Sequence, residues 1–286
     1  MIDLLLQPFS YDYMVKAILI SALVGGVCAF LSAFLILKGW SLMGDALAHA
    51  IVPGVVLAYI LALPYAVGAF FAGLLAAGSM AAVKHKTALR EDTVIGLIFT
   101  TFFALGLLLV SINPTAVNIQ AVILGNILAI SQSDMVQVTI ISVICFAVLA
   151  LKWRDFMAVF FDESHARSIG LPVTALRIAF FTMLSAATVA ALQTVGACLV
   201  IAMVVTPGAT AYLLTDRFER LIIMACIWGA ASSAIGAYAS YYLDANPGGL
   251  IVCLQTAVFL ITIIVAPKYG MARGWFVRRA VRGING

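Results

Sequence analysis

Two ionisable side chains stand in a run of otherwise apolar and small residues: Asp45 and His49, within Ser41-Leu42-Met43-Gly44-Asp45-Ala46-Leu47-Ala48-His49-Ala50. A spacing of four puts both on one helix face, where they can share a ligand or bond each other. A carboxylate and a neutral imidazole make half a site for a divalent first-row metal, and two such halves from facing subunits would give four ligands. Counting from Lys38 at about 1.5 Å per residue sets His49 roughly 16 Å along a helix, near the middle of a hydrocarbon layer about 30 Å thick. A carboxylate at that depth is costly without a partner, so an intramembrane Asp marks a functional site by default. Pro53-Gly54 adds to this, because a proline removes a helix bond and frees carbonyls toward a cavity. The competing reading has Asp45 capping the helix and pairing with Lys38, with His49 bonded to a neighbouring carbonyl.

A second group of residues has its own start and stop signals. In Arg154 to Pro172, Asp162 can cap a helix, Glu163 favours its positive end, Gly170 suits a left-handed terminating position and Pro172 forbids continuation. The pattern predicts a helix of about two turns lying on the inner surface. With Phe160 and Phe161 ahead of it, that helix is either a docking knob for a cytosolic partner or a plain connector.

The elements that must position these groups are membrane helices. The chain has 286 residues, 64% hydrophobic and 10% charged, whereas soluble domains carry about 25% charge. So few charges cannot supply a polar surface, and the remaining solvent is lipid. The net charge of +4 is too small and scattered for a nucleic-acid footprint. Nine stretches are long and apolar enough to cross: Met14 to Leu37, Trp40 to Leu63, Tyr65 to Val83, Thr93 to Val110, Met135 to Leu151, Val173 to Leu192, Thr194 to Leu214, Leu221 to Leu243 and Gly248 to Ala266. The first is expected to be a retained span and not a cleaved signal. Ala116 to Ile130, broken by Asn118, Gln120, Gly125 and Asn126, suits a re-entrant or interfacial segment.

With the amino terminus outside and the carboxyl terminus cytoplasmic, the inner segments hold every Lys and Arg except Lys16 and Arg177, as the positive-inside rule requires. The whole chain, 1–286, reads as a single membrane domain. The small residues of Gly229 to Ala237 allow close helix packing, within one protomer or between two. Asn113, Gln193, Thr194, Thr206 and Gln255 are candidates to line a path or to bond neighbouring helices. The five cysteines, without paired spacing, read as small hydrophobes. No G-x-x-x-x-G-K-[ST] loop occurs, so ATP-driven transport would need its ATPase on another polypeptide. Protease and hydrolase motifs are also absent.

Four long motifs in order, LKGWSLMGDALAHAIVPG, EDTVIGLIFTTFFALGL, FFDESHARSIGLP and LQTVGACLVIAMVVTPGATAYLLT, resemble the membrane permeases of bacterial ABC importers for manganese, iron and zinc, most nearly the manganese/iron branch. The resemblance implies an all-α fold of eight to nine transmembrane helices in the bacterial inner membrane. It implies that Asp45 and His49 bind the metal in the translocation path. It also makes Asp162 to Gly170 a coupling helix gripping the ATPase through Asp162, Glu163, His165, Ala166, Arg167 and Gly170. The implied partners are a cytosolic ATP-binding subunit, a second permease copy or paralogue, an extracytoplasmic metal-binding protein and the surrounding lipid. No intrinsic cofactor is expected, since the manganese, iron or zinc ion is cargo. The alternative is a stand-alone proton-coupled divalent-metal carrier, in which Asp45 and His49 relay protons.

Overall fold

The computed structural model describes residues 6–112, 127 and 131–266. The segment Ala116 to Ile130, apart from buried Ile127, and the basic tail from Arg273 to Arg282 lie outside the described residues.

Among the described residues eleven helices follow a 3-10 turn at Gln7–Ser10: α1 (Asp12–Lys38), α2 (Ser41–Ala50), α3 (Val52–Ile60), α4 (Tyr65–Lys86), α5 (Glu91–Ile112), α6 (Gln132–Phe161), α7 (Glu163–Ser168), α8 (Val173–Val195), α9 (Ala197–Leu214), α10 (Phe218–Leu243) and α11 (Pro247–Val265). Eight of the described segments are long and apolar enough to span a bilayer, with α2 and α3 together forming one of them. The ninth expected span is α9, whose 18 residues reach about 27 Å. Thr194, assigned to it by sequence, belongs instead to α8. The reversal falls at Gly196, with φ 88° and ψ 160°, a backbone region open essentially to glycine alone.

α1 is the central post, the most buried of the spans, and packs against α6, α8, α9 and α10. Its most extensive partner is α10. There the small-residue run is used within the protomer: a Cβ at Gly229 would lie 2.6 Å from the Gly25 carbonyl, and one at Gly25 would lie 2.5 Å from that of Gly229. Close backbone approach supplies the dispersion contacts that hold helices together where lipid and side chains are equally apolar. Gln255 does the bonding kind of work, donating from Nε2 to Ser232 Oγ of α10 at 3.0 Å. Cys28, Cys145, Cys226 and Cys253 are free thiols.

Pro207 interrupts the hydrogen-bond ladder inside α9. Ser32 of α1 bonds the backbone on both sides of this proline, its Oγ donating to the Val205 carbonyl and accepting the Gly208 N–H, both at 3.0 Å. Ser32 is fully buried, so Ser32→Ala removes two hydrogen bonds between α1 and α9 and costs roughly 1–3 kcal/mol. The expected result is a lower thermal midpoint of the detergent-solubilised protein, and an unchanged midpoint would remove Ser32 from that role.

The ends of the helices sort as the basic residues predict. Lys38, Lys84, Glu91, Glu163 and Arg177 line one cavity, and Tyr212, Thr215, Asp216 and Phe218 line a second with Asp162 and His165. The ends of α1, α4, α6 and α9 therefore meet the starts of α5, α8 and α10 at one end of the bundle. Aromatic pairs mark the other end, with ring centroids of Phe9 and Tyr238, and of Tyr11 and Tyr241, 5.8 Å apart, the kind of belt found at a lipid–water boundary.

Candidate functional site

The site helix α2 begins where α1 is made to stop. Gly39 takes a left-handed φ of 71°. The Gly39 N–H then bonds the Ile36 carbonyl at 3.1 Å and the Trp40 N–H the Leu35 carbonyl at 2.8 Å, a Schellman closure that sets the direction of the next residue. α2 runs only to Ala50. Pro53 has no N–H to return to the His49 carbonyl four residues back, the Ile51 N–H turns to that carbonyl, and the chain restarts as α3. The span drawn from sequence as continuous from Trp40 to Leu63 is thus a broken helix, interrupted just past His49. Discontinuous helices near the bilayer midplane are where transporters build ion sites, because the break exposes carbonyls to a cavity.

Asp45 and His49 meet as their spacing predicts, with Asp45 Oδ1 3.5 Å from His49 Nε2. Asp45 lies in the second turn of α2 and pairs with His49, not Lys38, and Trp40 occupies the cap position. The capping alternative is therefore not the arrangement found. The side chains of Asp45 and His49 remain 36% and 24% exposed in the single chain. A separation of 3.5 Å suits one ion held by both atoms, each about 2.1 Å away. Among the described residues no group of three or more His, Cys, Asp or Glu side chains assembles, so an ion held by this pair would need further donors from elsewhere.

Sequence reading missed the wall of this site. Phe99 and Phe103 of α5 face the imidazole, with centroids 5.6 and 5.5 Å from that of His49. They lie in the motif EDTVIGLIFTTFFALGL, and their spacing of four was a usable signal that they share a face. Such a wall strips water from one side of the pair and strengthens its hold on a charge. Of the other candidates, Thr194 is buried and donates to the Ala191 carbonyl at 2.8 Å, which is a structural use. Asn113 lies outside the described residues.

The surface helix also forms where its caps predict. Asp162 accepts N–H bonds from Ser164 and His165 at 2.9 and 3.0 Å. At the other end Gly170, at φ 81°, closes the helix, with the Leu171 N–H bonded to the Ala166 carbonyl at 3.0 Å. Glu163 bonds Arg167 at 2.7 Å and Arg177 of α8 at 2.5 Å, fastening α7 to the bundle. The Arg167 hydrogen bond, aided by the Arg177 charge, holds the Glu163 carboxyl below the usual carboxylate range against the opposing pull of partial burial. His165 and Arg167 are exposed, whereas Ala166 is fully buried and seats the helix. Of the two rings ahead of this helix, Phe161 is 79% exposed but Phe160 only 4%. Consecutive helix positions point about 100° apart, so the two rings face opposite environments.

The chain is similar to known membrane transport proteins over nearly its whole length. Residues 10–266 match the profile described as the ABC 3 transport family. The chelated iron transport system membrane protein YfeC of Yersinia pestis is 66% identical over 271 residues, covering 95% of this chain and 92% of that one. The manganese transport system membrane protein MntB of Synechocystis sp. is 47% identical over 272 residues, covering 95% of this chain and 89% of that one. In three dimensions the chain is similar to PsaBC from Streptococcus pneumoniae in complex with Fab, with a TM-score of 0.83 and 32% identity over 94% of this chain and 98% of that one.

Proposed function

Because the chain belongs to the ABC 3 transport family, a family of multi-pass membrane permeases, we propose that it is the translocation subunit of an ATP-driven importer carrying manganese(II) or iron(II) across the bacterial inner membrane. The observation that carries this reading is the Asp45–His49 pair beside the break between α2 and α3, in a chain whose relatives are iron and manganese transport proteins. An Asp oxygen and an imidazole nitrogen are hard to borderline donors that suit either ion. Zinc would bind the same pair more tightly, so sorting falls largely to the extracytoplasmic binding protein that delivers the cargo.

The chain works as a non-catalytic partner. Two permease subunits, identical or paralogous, face each other so that two Asp45–His49 pairs complete one site. The basic end of the bundle is cytoplasmic, and there α7 docks on a separate ATPase through its exposed face, His165 and Arg167 with Phe161 beside them. Closure of the ATPase brings the two α7 helices together and opens the path outward; hydrolysis resets it inward. Asp162, Glu163, Ala166 and Gly170 serve this contact by building and fastening the helix. The family favours this reading over the proton-coupled carrier.

Reconstitution distinguishes the two. In liposomes carrying the permease with its ATPase and binding protein, labelled manganese and iron should accumulate only with ATP, and the permease alone should pass neither. Flux by the chain alone, driven by a proton gradient, would overturn the importer.

A further inference from the structure

We propose that Trp40 is the residue that transmits movement of the surface helix α7 to the metal-bearing helix α2. The inference rests on the importer reading above and names a positioning residue, not a ligand. Trp40 is the first residue past the Gly39 closure and caps α2, with the Met43 N–H bonded to its carbonyl at 3.0 Å. Its indole meets Phe160 edge-on at 5.7 Å and lies nearly parallel to Phe181 of α8 at 5.7 Å. Phe160 is buried two residues before the Asp162 cap of α7. Phe181 follows Arg177 by one helical turn, and Arg177 is the residue that grips Glu163 of α7. Both routes out of α7, along the chain through Phe160 and across the ion pair through α8, therefore end on the same indole.

The other edge of the indole is also committed. Trp40 Nε1–H donates to Glu91 Oε2 at 2.5 Å, in the first turn of α5. α5 carries Phe99 and Phe103, so the bond joins the helix bearing Asp45 and His49 to the helix walling them. A packed aromatic cluster yields little to compression, and a displacement of Phe160 must be taken up by the indole. With its N–H fixed to Glu91, the indole carries α2 and α5 together, moving ligands and wall as one unit. Trp40, Phe160, Phe181, Glu91, Glu163 and Arg177 border, with Lys38 and Lys84, one cavity of about 270 Å³ at the basic end, which leaves the cluster room to shift.

The test measures metal transported per ATP hydrolysed in the reconstituted complex, alongside equilibrium manganese binding and subunit composition. Trp40→Ala should lower the transport-to-hydrolysis ratio by roughly tenfold, within reach of a residue on a coupling route, while manganese binding and assembly hold. Trp40→Phe keeps the ring packing without the N–H, so it remains interpretable if the alanine variant misfolds; its ratio should fall between the two. Glu91→Gln retains an acceptor and should keep the ratio. An unchanged ratio in both Trp40 variants overturns the inference, as does manganese binding lost in step with transport, which would make Trp40 a static prop. Asp45→Asn serves as the control: normal uptake there removes the metal-site reading itself, whereas an inactive Asp45→Asn beside fully coupled Trp40→Ala and Trp40→Phe removes only the role of Trp40.

Discussion

Replacing Asp45 by asparagine should abolish uptake of manganese and iron while leaving the permease folded and bound to its ATPase. Asparagine has nearly the same shape, so α2 keeps its packing. It has no charge, so a doubly charged ion held there would lose the carboxylate that stands beside His49. Losing even an outer partner of a metal ligand costs about 10–100-fold in affinity or activity, and losing the anionic ligand itself should cost at least the upper figure. The thermal midpoint of the variant should match or exceed that of the parent, because a carboxylate at this depth is costly to keep. His49→Ala should give the same phenotype. Normal uptake by Asp45→Asn, measured with labelled ion in the reconstituted complex, would end the metal-site assignment. Loss of uptake accompanied by loss of assembly would point to a structural role instead.

The second large effect is expected at the crossing of α3 and α4. A Cβ at Gly54 would lie 2.1 Å from the Gly68 carbonyl oxygen, and a Cβ at Gly68 would lie 2.1 Å from that of Gly54. Backbone cannot swing aside as a flexible side chain does, so Gly54→Ala must force the two helices apart. Overpacking typically costs about 1–3 kcal/mol, and a reciprocal backbone clash belongs at or above the top of that range. Gly54 is five residues beyond His49, so the same displacement should disturb the break in the α2–α3 span and depress uptake. Gly78→Ala is the internal control. It has nothing within 4 Å of its added methyl and should lose neither stability nor transport, since glycine inside a helix already costs about 0.5–1 kcal/mol relative to alanine. The contrast is read from thermal midpoints and folded yield, and equal behaviour of the two variants would show that the crossing is not close-packed.

How far these features were readable from sequence depended on their range along the chain. Asp45 and His49 are four residues apart, and helical geometry alone brought them to 3.5 Å. The surface helix announced itself through Asp162, Gly170 and Pro172, each acting on backbone within a few residues. Pro53 announced a lost helix bond and freed carbonyls just past His49, but not that one helix stops at Ala50 and the next starts at Val52. Thr194 went to the wrong helix because Val-Gly-Ala reads as apolar, while the backbone of Gly196 marks a reversal. Phe160 and Phe161 were indistinguishable until packing buried the first against Phe34, Phe180 and Trp40.

The amino-acid sequence by itself determined that the chain lives in lipid, which described segments are long and apolar enough to cross, where the basic residues gather and where the acid–imidazole pair falls. Those properties follow from apolar length, charge placement and local backbone chemistry. Only the tertiary structure decided that Phe99 and Phe103 wall His49, that Ser32 bonds the backbone beside Pro207, that Glu163 reaches Arg177, and that Trp40 joins three helices at one point. The reason is physical. In water an apolar stripe tells a helix which face to bury, but in a bilayer the lipid-facing and core-facing sides are equally apolar. Partner choice then rests on close backbone approach and a few buried polar bonds, and these exist only once distant helices have been brought together.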